Sequence, residues 1–156
     1  MHLRTILNSK HKIPGFVFEP EHLEEMDGQS AIVVPIRPRH GNRPICSCCM
    51  KPGPAYDTLK PRTFLFVPFW GFLVFFLYSM RRVDCSTCGV KVEKVPWSEG
   101  KTQVTTTYAW FIASWAKKMS WQDVAVSFAA SWSSVRRCVE VAVAWGRLNM
   151  DLRVLK

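Results

Sequence analysis

Two Cys-x-x-Cys pairs, in Cys46-Ser47-Cys48-Cys49 and in Cys85-Ser86-Thr87-Cys88-Gly89, stand about 35 residues apart. No other feature constrains the fold as strongly. Two residues between paired cysteines let both sulfurs face one point from a single tight turn. Two such turns supply four thiolates for a tetrahedral ion. Zinc suits that role, because it is borderline soft, binds thiolate at about 2.3 Å and brings no redox chemistry, so four cysteines close a structural site. Gly89 supplies the backbone freedom the second turn needs, whereas Met50 stands where glycine is expected after the first. Cys48 is a rival ligand within its pair. Redox thiols or buried free cysteines are the other readings. Cys138, outside both pairs, falls on the apolar face of a helical segment and reads as a core residue.

Six cysteines would also suit a secreted disulfide scaffold. The N-terminus argues against it: Met1 to Leu7 is followed by Asn8, Ser9 and Lys10 rather than by the apolar run of a signal peptide. The expectation is a reducing, cytoplasmic setting, where paired cysteines serve a metal. One segment points elsewhere. Thr63 to Met80 has no charged residue and holds six of the phenylalanines, with Arg81-Arg82 behind it. A spanning helix needs about 20 apolar residues, and Pro68 and Gly71 would break one here. Two strands, Thr63 to Val67 and Phe72 to Arg82, joined by a Pro-Phe-Trp-Gly turn, fit the Val, Phe and Tyr content better.

The chain divides by pattern. Residues 1–45 form a lead with acidic residues from Glu19 to Asp27 ahead of a strand at Ser30 to Ile36, then the basic, breaker-rich connector Arg37 to Pro44. Residues 46–97 hold both cysteine pairs, and Pro96 with Ser98-Glu99-Gly100-Lys101 marks a boundary. From 104 to 148 the periodicity is helical. Tyr108, Phe111, Ile112, Trp115 and Met119 fall on one stripe. Ser120 with Asp123 makes a capping box for a second helix through Phe128. Ala129-Ala130-Ser131 is a turn, and Ser131 caps a third helix whose apolar face is Val135, Cys138, Val139 and Ala142. The fold class expected is therefore α+β: a small β zinc ribbon with N-terminal strand, followed by three helices.

Apolar residues at 48% and charged residues at 21% exclude a disordered or collagen-like chain. The net charge of +9 draws polyanions, nucleic acid or anionic lipid. Three short helices with a tight turn before the last fit a helix-turn-helix, whose final helix enters the major groove. Trp132, Ser133, Ser134, Arg136 and Arg137 would then meet base edges, arginine being the residue whose planar fork pairs with guanine. Lys117 and Lys118 would hold phosphates. The same periodicity also describes a helical bundle with a solvated basic face.

Val67-Pro68-Phe69-Trp70-Gly71, the run from Arg81 to Trp97, Ser120-Trp121-Gln122-Asp123-Val124-Ala125 and Ser131-Trp132-Ser133-Ser134-Val135 together resemble the N-terminal half of the ISL-three family of bacterial insertion-sequence transposases. The resemblance covers the chain from about Leu7 to Asp151. It implies that Cys46, Cys49, Cys85 and Cys88 hold a structural zinc, and that about Thr105 to Trp145 is a helix-turn-helix binding terminal inverted repeats of double-stranded DNA in the bacterial nucleoid. It also implies that Thr63 to Met80 belongs to the ribbon and not to a membrane. Members of the family continue into a ribonuclease-H-like domain whose acidic triad binds two metals. Nothing here matches that triad, so Asp27, Asp57, Asp84, Asp123 and Asp151 are not expected to be catalysts. Residues 149–156 then read as a truncated tail, and the chain alone as no enzyme. A homo-oligomer or a full-length transposase is the implied protein partner. The alternatives are a zinc-dependent protein-interaction module and a repressor derived from a truncated transposase.

Overall fold

The computed structural model describes residues 2–26 and 28–149. Asp27, Asp151 and the expected tail beyond Asn149 lie outside the described residues. The chain forms two compact units, Met1–Thr105 and Thr106–Lys156. The division expected at residue 45 falls inside the first, because the N-terminal lead is woven into the same sheet as the cysteine pairs.

That unit is built on a mixed six-stranded sheet: β1 Phe16–Phe18, β2 His22–Met26, β3 Gln29–Pro38, β4 Ala55–Phe69, β5 Phe72–Cys85 and β6 Gly89–Val92. β5 is its spine. It pairs antiparallel with β4 and β6 and parallel with β3, where Ala31 lies beside Leu73 and Pro35 beside Leu77. β1 and β2 both run antiparallel to β3, with their registers offset by one residue across Glu19-Pro20-Glu21. The charge-free segment Thr63 to Met80 is the upper part of the β4–β5 hairpin, and both strands run further than their apolar stretches predict. Pro61 and Pro68 are tolerated because β4 has only β5 as a full partner. No helix among the described residues is long and apolar enough to cross a membrane.

Alternation along β5 turns Val74, Phe76, Tyr78 and Met80 to one buried face, where they meet Phe64, Val34, Ile36, Phe16, Phe18 and Trp97. The Trp97 ring stands edge-on to Phe16 at 4.9 Å and to Tyr78 at 5.0 Å. A short helix, α1 Leu3–Lys10, adds Leu7 and Leu3 to this core. Sequence alone gave no signal for it, because its end is capped from a distance. The Glu21 carboxylate accepts from the Leu3 N–H at 2.8 Å and the Arg4 N–H at 3.3 Å. Those N–H groups and its own hold the Glu21 carboxyl below the usual range against the opposing effect of burial.

The second unit holds α2 Thr106–Ala116, α3 Trp121–Ser127 and α4 Trp132–Asn149. Its buried residues are Tyr108, Ala109, Ile112, Ala113, Val124, Ala125, Val135 and Cys138. Trp115 lies at the edge of this set, 37% exposed, against Phe128 at 5.7 Å.

The β4–β5 hairpin turns on Trp70 and Gly71, at φ 50° and 81°, between the paired Phe69 and Phe72. That is the two-residue turn which asparagine-glycine fills with least strain. Placing a tryptophan left-handed costs about 1 kcal/mol. Trp70→Asn should therefore raise the unfolding free energy by about 1 kcal/mol in urea titrations. A loss of stability would show instead that the Trp70 stack on Phe69, at 4.9 Å, outweighs the strain.

Candidate metal centre and basic helical face

Each cysteine pair sits on its own knuckle. The first is closed by an antiparallel bridge between Ile45 and Pro52, with the Cys46 N–H donating to the Lys51 carbonyl at 2.9 Å and the Met50 N–H to the Cys46 carbonyl at 2.9 Å. Met50 takes φ 61°, so the left-handed position that a glycine would fill is occupied here by methionine. The second knuckle is the turn between β5 and β6, where Cys85 pairs with Gly89 at φ 71°. The long gap between the pairs is spent on the β4–β5 hairpin, which leaves from one knuckle and returns to the other.

Backbone bonds hold the knuckles side by side. The Ser47 N–H donates to the Val92 carbonyl, the Lys94 N–H to Ile45 at 2.7 Å, the Gly53 N–H to Pro44 and the Asp84 N–H to Pro54 at 3.0 Å. Gly53 permits that approach, since a Cβ there would meet Val83 Cγ1 at 2.7 Å. Cys46 and Cys85 are buried, while Cys49 and Cys88 are partly so. The four Sγ atoms lie within 4.8 Å of one another, with Cys49 and Cys85 at 3.5 Å. Sulfurs at 2.3 Å from a tetrahedral ion are about 3.8 Å apart, so the donor set fits a metal ion of that size. Cys48 is exposed and outside this group.

The thiols do not titrate alike. The N–H groups of Thr87 and Cys88 pull Cys85 down to about 7. Those of Cys49 and Cys48 lower Cys46. The Lys51 N–H favours the Cys49 thiolate, yet the Cys85 sulfur and burial leave that thiol raised, and burial first of all pushes Cys88 up. Two knuckles thus present anion-stabilising backbone donors to a crowded sulfur cluster that could hold a metal ion.

Beneath the knuckles lies a polar network that sequence reasoning missed. Glu93, 3% exposed, bridges to Cys46 along the backbone. Its carboxylate accepts from Tyr78 Oη at 2.6 Å, the Arg81 N–H at 2.7 Å, Arg81 Nε at 3.0 Å and Arg81 Nη2 at 2.7 Å. The same guanidinium donates to the Asn42 carbonyl and to Asn42 Oδ1, both at 2.9 Å, tying the basic connector to β5. Burial and the Glu93 carboxylate together push the Tyr78 phenol up. Burial opposes the Arg81 charge, but the bonds and charge of Glu93 hold its pKa above the usual value. In sequence Glu93 follows the exposed Val92, and nothing in that alternation marks it as buried.

The helical candidates all lie in the second unit, just past α2 and in the first two turns of α4. Ser120 caps α3, accepting from the Asp123 N–H at 3.1 Å. The turn after α3 closes with the Ala130 N–H on the Ala125 carbonyl at 2.9 Å and Ala129 at φ 48°, a left-handed helix end filled without glycine. Ser131 then caps α4 by accepting from the Ser134 N–H at 3.1 Å, and its hydroxyl also contacts those of Ser133 and Ser134. Ser134 is half-buried, while Trp132, Ser133, Arg136 and Arg137 are exposed. Arg136 Nε donates to Glu140 at 2.8 Å across one helical turn. An exposed pair of that kind is worth a few tenths of a kcal/mol, so it orients the guanidinium without locking it. Lys117 and Lys118 are exposed just past α2, with Lys118 Nζ 5.7 Å from the Trp115 ring centre.

Searches of protein-family models, of curated proteins and of solved structures return no match to this chain.

Glu93→Gln removes the charge that offsets Arg81 while keeping its shape. Losing one partner of a buried pair costs about 3–5 kcal/mol. The expected result is a drop of that size in unfolding free energy by chemical denaturation. A loss below about 1 kcal/mol would mean that water already screens the pair.

Proposed function

We propose that this chain is a sequence-specific double-stranded DNA-binding module, a zinc ribbon followed by a helix-turn-helix, serving as the end-recognition part of a transposase of the ISL-three kind. The observation that carries the reading is the capped turn from Phe128 to Ser131, after which α4 begins with an exposed Trp132, Ser133, Arg136 and Arg137. A helix whose first two turns hold exposed donors of this type matches what major-groove readout requires. Lys117 and Lys118 serve as phosphate contacts that fix the docking register. We assign no catalytic role to the carboxylates. Asp57 is bound by Arg82 Nε at 2.6 Å, and Asp123 by the Ser120 hydroxyl at 2.6 Å.

Arg136→Ala with Arg137→Ala should erase most of the preference for a cognate element end over a scrambled duplex, a loss of about 1–3 kcal/mol for each bidentate base contact. Electrophoretic shifts on both duplexes measure it. An unchanged ratio overturns the recognition-helix assignment.

The same reading makes the cysteine cluster a structural zinc site, held by Cys46, Cys49, Cys85 and Cys88. When bound, zinc would fix both knuckles at one point, while the aromatic core of the sheet stands without it. Purified protein should therefore carry one zinc per chain, and Cys85→Ser or a strong chelator should remove it. Amide exchange should then accelerate at Ile45 to Gly53 and Cys85 to Glu93 but not at Val74 to Met80. Acidification works in the same direction. All four thiols must be deprotonated to bind, and Cys49 and Cys88 are raised, so affinity falls as pH drops. Full metal retention after chelation together with Cys85→Ser would defeat the assignment.

A second reading, a protein-interaction module, draws on the helical unit. α2 and α4 border an apolar hollow of about 410 Å³ lined by Trp110, Ala113, Val139, Val143 and Trp145. Binding of duplex DNA by the intact chain decides between the two.

A further inference from the structure

Charge is unevenly distributed along the sequence of the sheet unit. From Glu19 to Asp27 the sequence holds five carboxylates and no lysine or arginine, whereas from Arg37 to Lys94 it holds ten lysines and arginines against three carboxylates. Topology turns this into geometry. β3 and β5 run parallel, so the residues that begin both strands share one end of the sheet and those that end both share the other. Glu24 and Glu25 pair with Ala31 and Ser30 at the starting end, near the β4–β5 turn. The finishing end is where β3 leads into the basic connector and β5 leads into Cys85.

The three carboxylates within the basic stretch offset only three of its ten positive charges. Glu93 is spent on Arg81, and Asp57 on Arg82, which leaves Asp84. Four thiolates around a divalent ion would add two negative charges, still well short of the basic excess. Arg37 is tied to Glu19 and Lys94 to Glu99. Arg43, Lys51 and Lys91 are exposed, and none has an ion-pair partner among the described residues. Arg43 and Lys94 line one hollow of about 330 Å³ with Ile45 and Met50. Lys51 follows Met50 on the first knuckle, and Lys91 pairs with Val83 on the strand leaving the second. Positive charge is thus carried on and beside the two hydrogen-bonded knuckles.

We infer that the knuckle end of the sheet unit is a second nucleic-acid contact, which grips the phosphodiester backbone of double-stranded DNA through Arg43, Lys51 and Lys91 without reading its sequence. The inference rests on the DNA-binding reading above, and it assigns that binding a surface outside the helical unit. Lysines and arginines spaced on a firm support suit phosphates, which position a protein on a duplex without specifying bases. Glu24 and Glu25 at the opposite end are repelled by the same polyanion, which favours an approach to DNA knuckles first.

The test uses the full chain with Arg43→Gln, Lys51→Gln and Lys91→Gln combined. The control carries Lys10→Gln, Lys12→Gln and Lys101→Gln, exposed positions outside the knuckles with the same loss of charge. Metal content and thermal unfolding report that both remain folded. Binding to cognate and scrambled duplexes is titrated from low to moderate salt. The knuckle variant should lose affinity for both duplexes by the same factor, about tenfold or more. Its log affinity against log salt should flatten by up to about 2.7, at roughly 0.9 per phosphate contact. The control should stay within about twofold of the parent. If the knuckle variant binds like the parent, or the control weakens equally, the inference fails while helix recognition stands. If instead the knuckle variant weakens as expected but Arg136→Ala with Arg137→Ala keeps the cognate preference, the recognition helix fails and this surface stands. A parent chain that binds vesicles of anionic phospholipid but no duplex overturns both.

Discussion

A nearly buried carboxylate, that of Glu93, joins the parts of the sheet unit that the strand ladder leaves apart. β3 and β5 are paired only as far as Pro35 and Leu77, and β6 begins to pair with β5 only from Arg82. Between those ladders the Arg81 N–H has a side-chain acceptor, Glu93 Oε1, where a neighbouring strand's carbonyl would otherwise be. Once fixed there, the carboxylate holds the Arg81 guanidinium, which in turn holds Asn42 in the connector. Glu93 also bridges to Cys46. One buried acid therefore sets the distance between the connector, the first knuckle and the spine strand. Such a pair earns its place through geometry more than through net stability, because desolvating both charges offsets much of their attraction.

The cysteine geometry was legible because ligand spacing is a local signal. A two-residue gap forces a tight turn whatever surrounds it, so the four sulfurs that come together are those the spacing marks. The hairpin is legible too, since Pro68 and Gly71 forbid a long helix and the segment is rich in Val, Phe and Tyr. What sequence reading missed depends on contacts distant in the chain. α1 has no capping residue beside it and borrows the Glu21 carboxylate instead. Nothing local ties the lead to the cysteine pairs, because a parallel pairing between β3 and β5 has no local signature and the segment between them is long enough to hide it. Glu93 was invisible for a related reason. Its neighbours in β6 are all exposed, so alternation carries no burial signal there.

The helical unit shows the opposite balance. Its caps at Ser120 and Ser131 are local devices, and both side chains accept the N–H three residues on. The turn between α3 and α4 is fixed by backbone bonds even though Ala129 takes a left-handed conformation usually given to glycine. That strain is about 1 kcal/mol, small beside the burial of Val124, Ala125, Val135 and Cys138 on either side of the turn. Packing therefore decides the turn and propensity yields. The same packing decides which face of α4 is left outside: with Val135 and Cys138 inward, Arg136 and Arg137 are left on the solvent side.

A metal held by four thiolates would bear on the electrostatics of the sheet unit in a way the sequence charge does not reveal. Net charge counts the cysteines as neutral, yet a closed site of this type carries two negative charges at its centre. Backbone N–H groups at each knuckle lower the Cys46 and Cys85 thiols and so favour the thiolates that would bind an ion. Metal loss would then do more than loosen two turns. With the thiols reprotonated, the knuckle end would become more positive just as it lost the geometry that spaces its cations. A polyanion would still be attracted, but less selectively, because attraction follows net charge whereas a defined register on phosphates needs fixed donors.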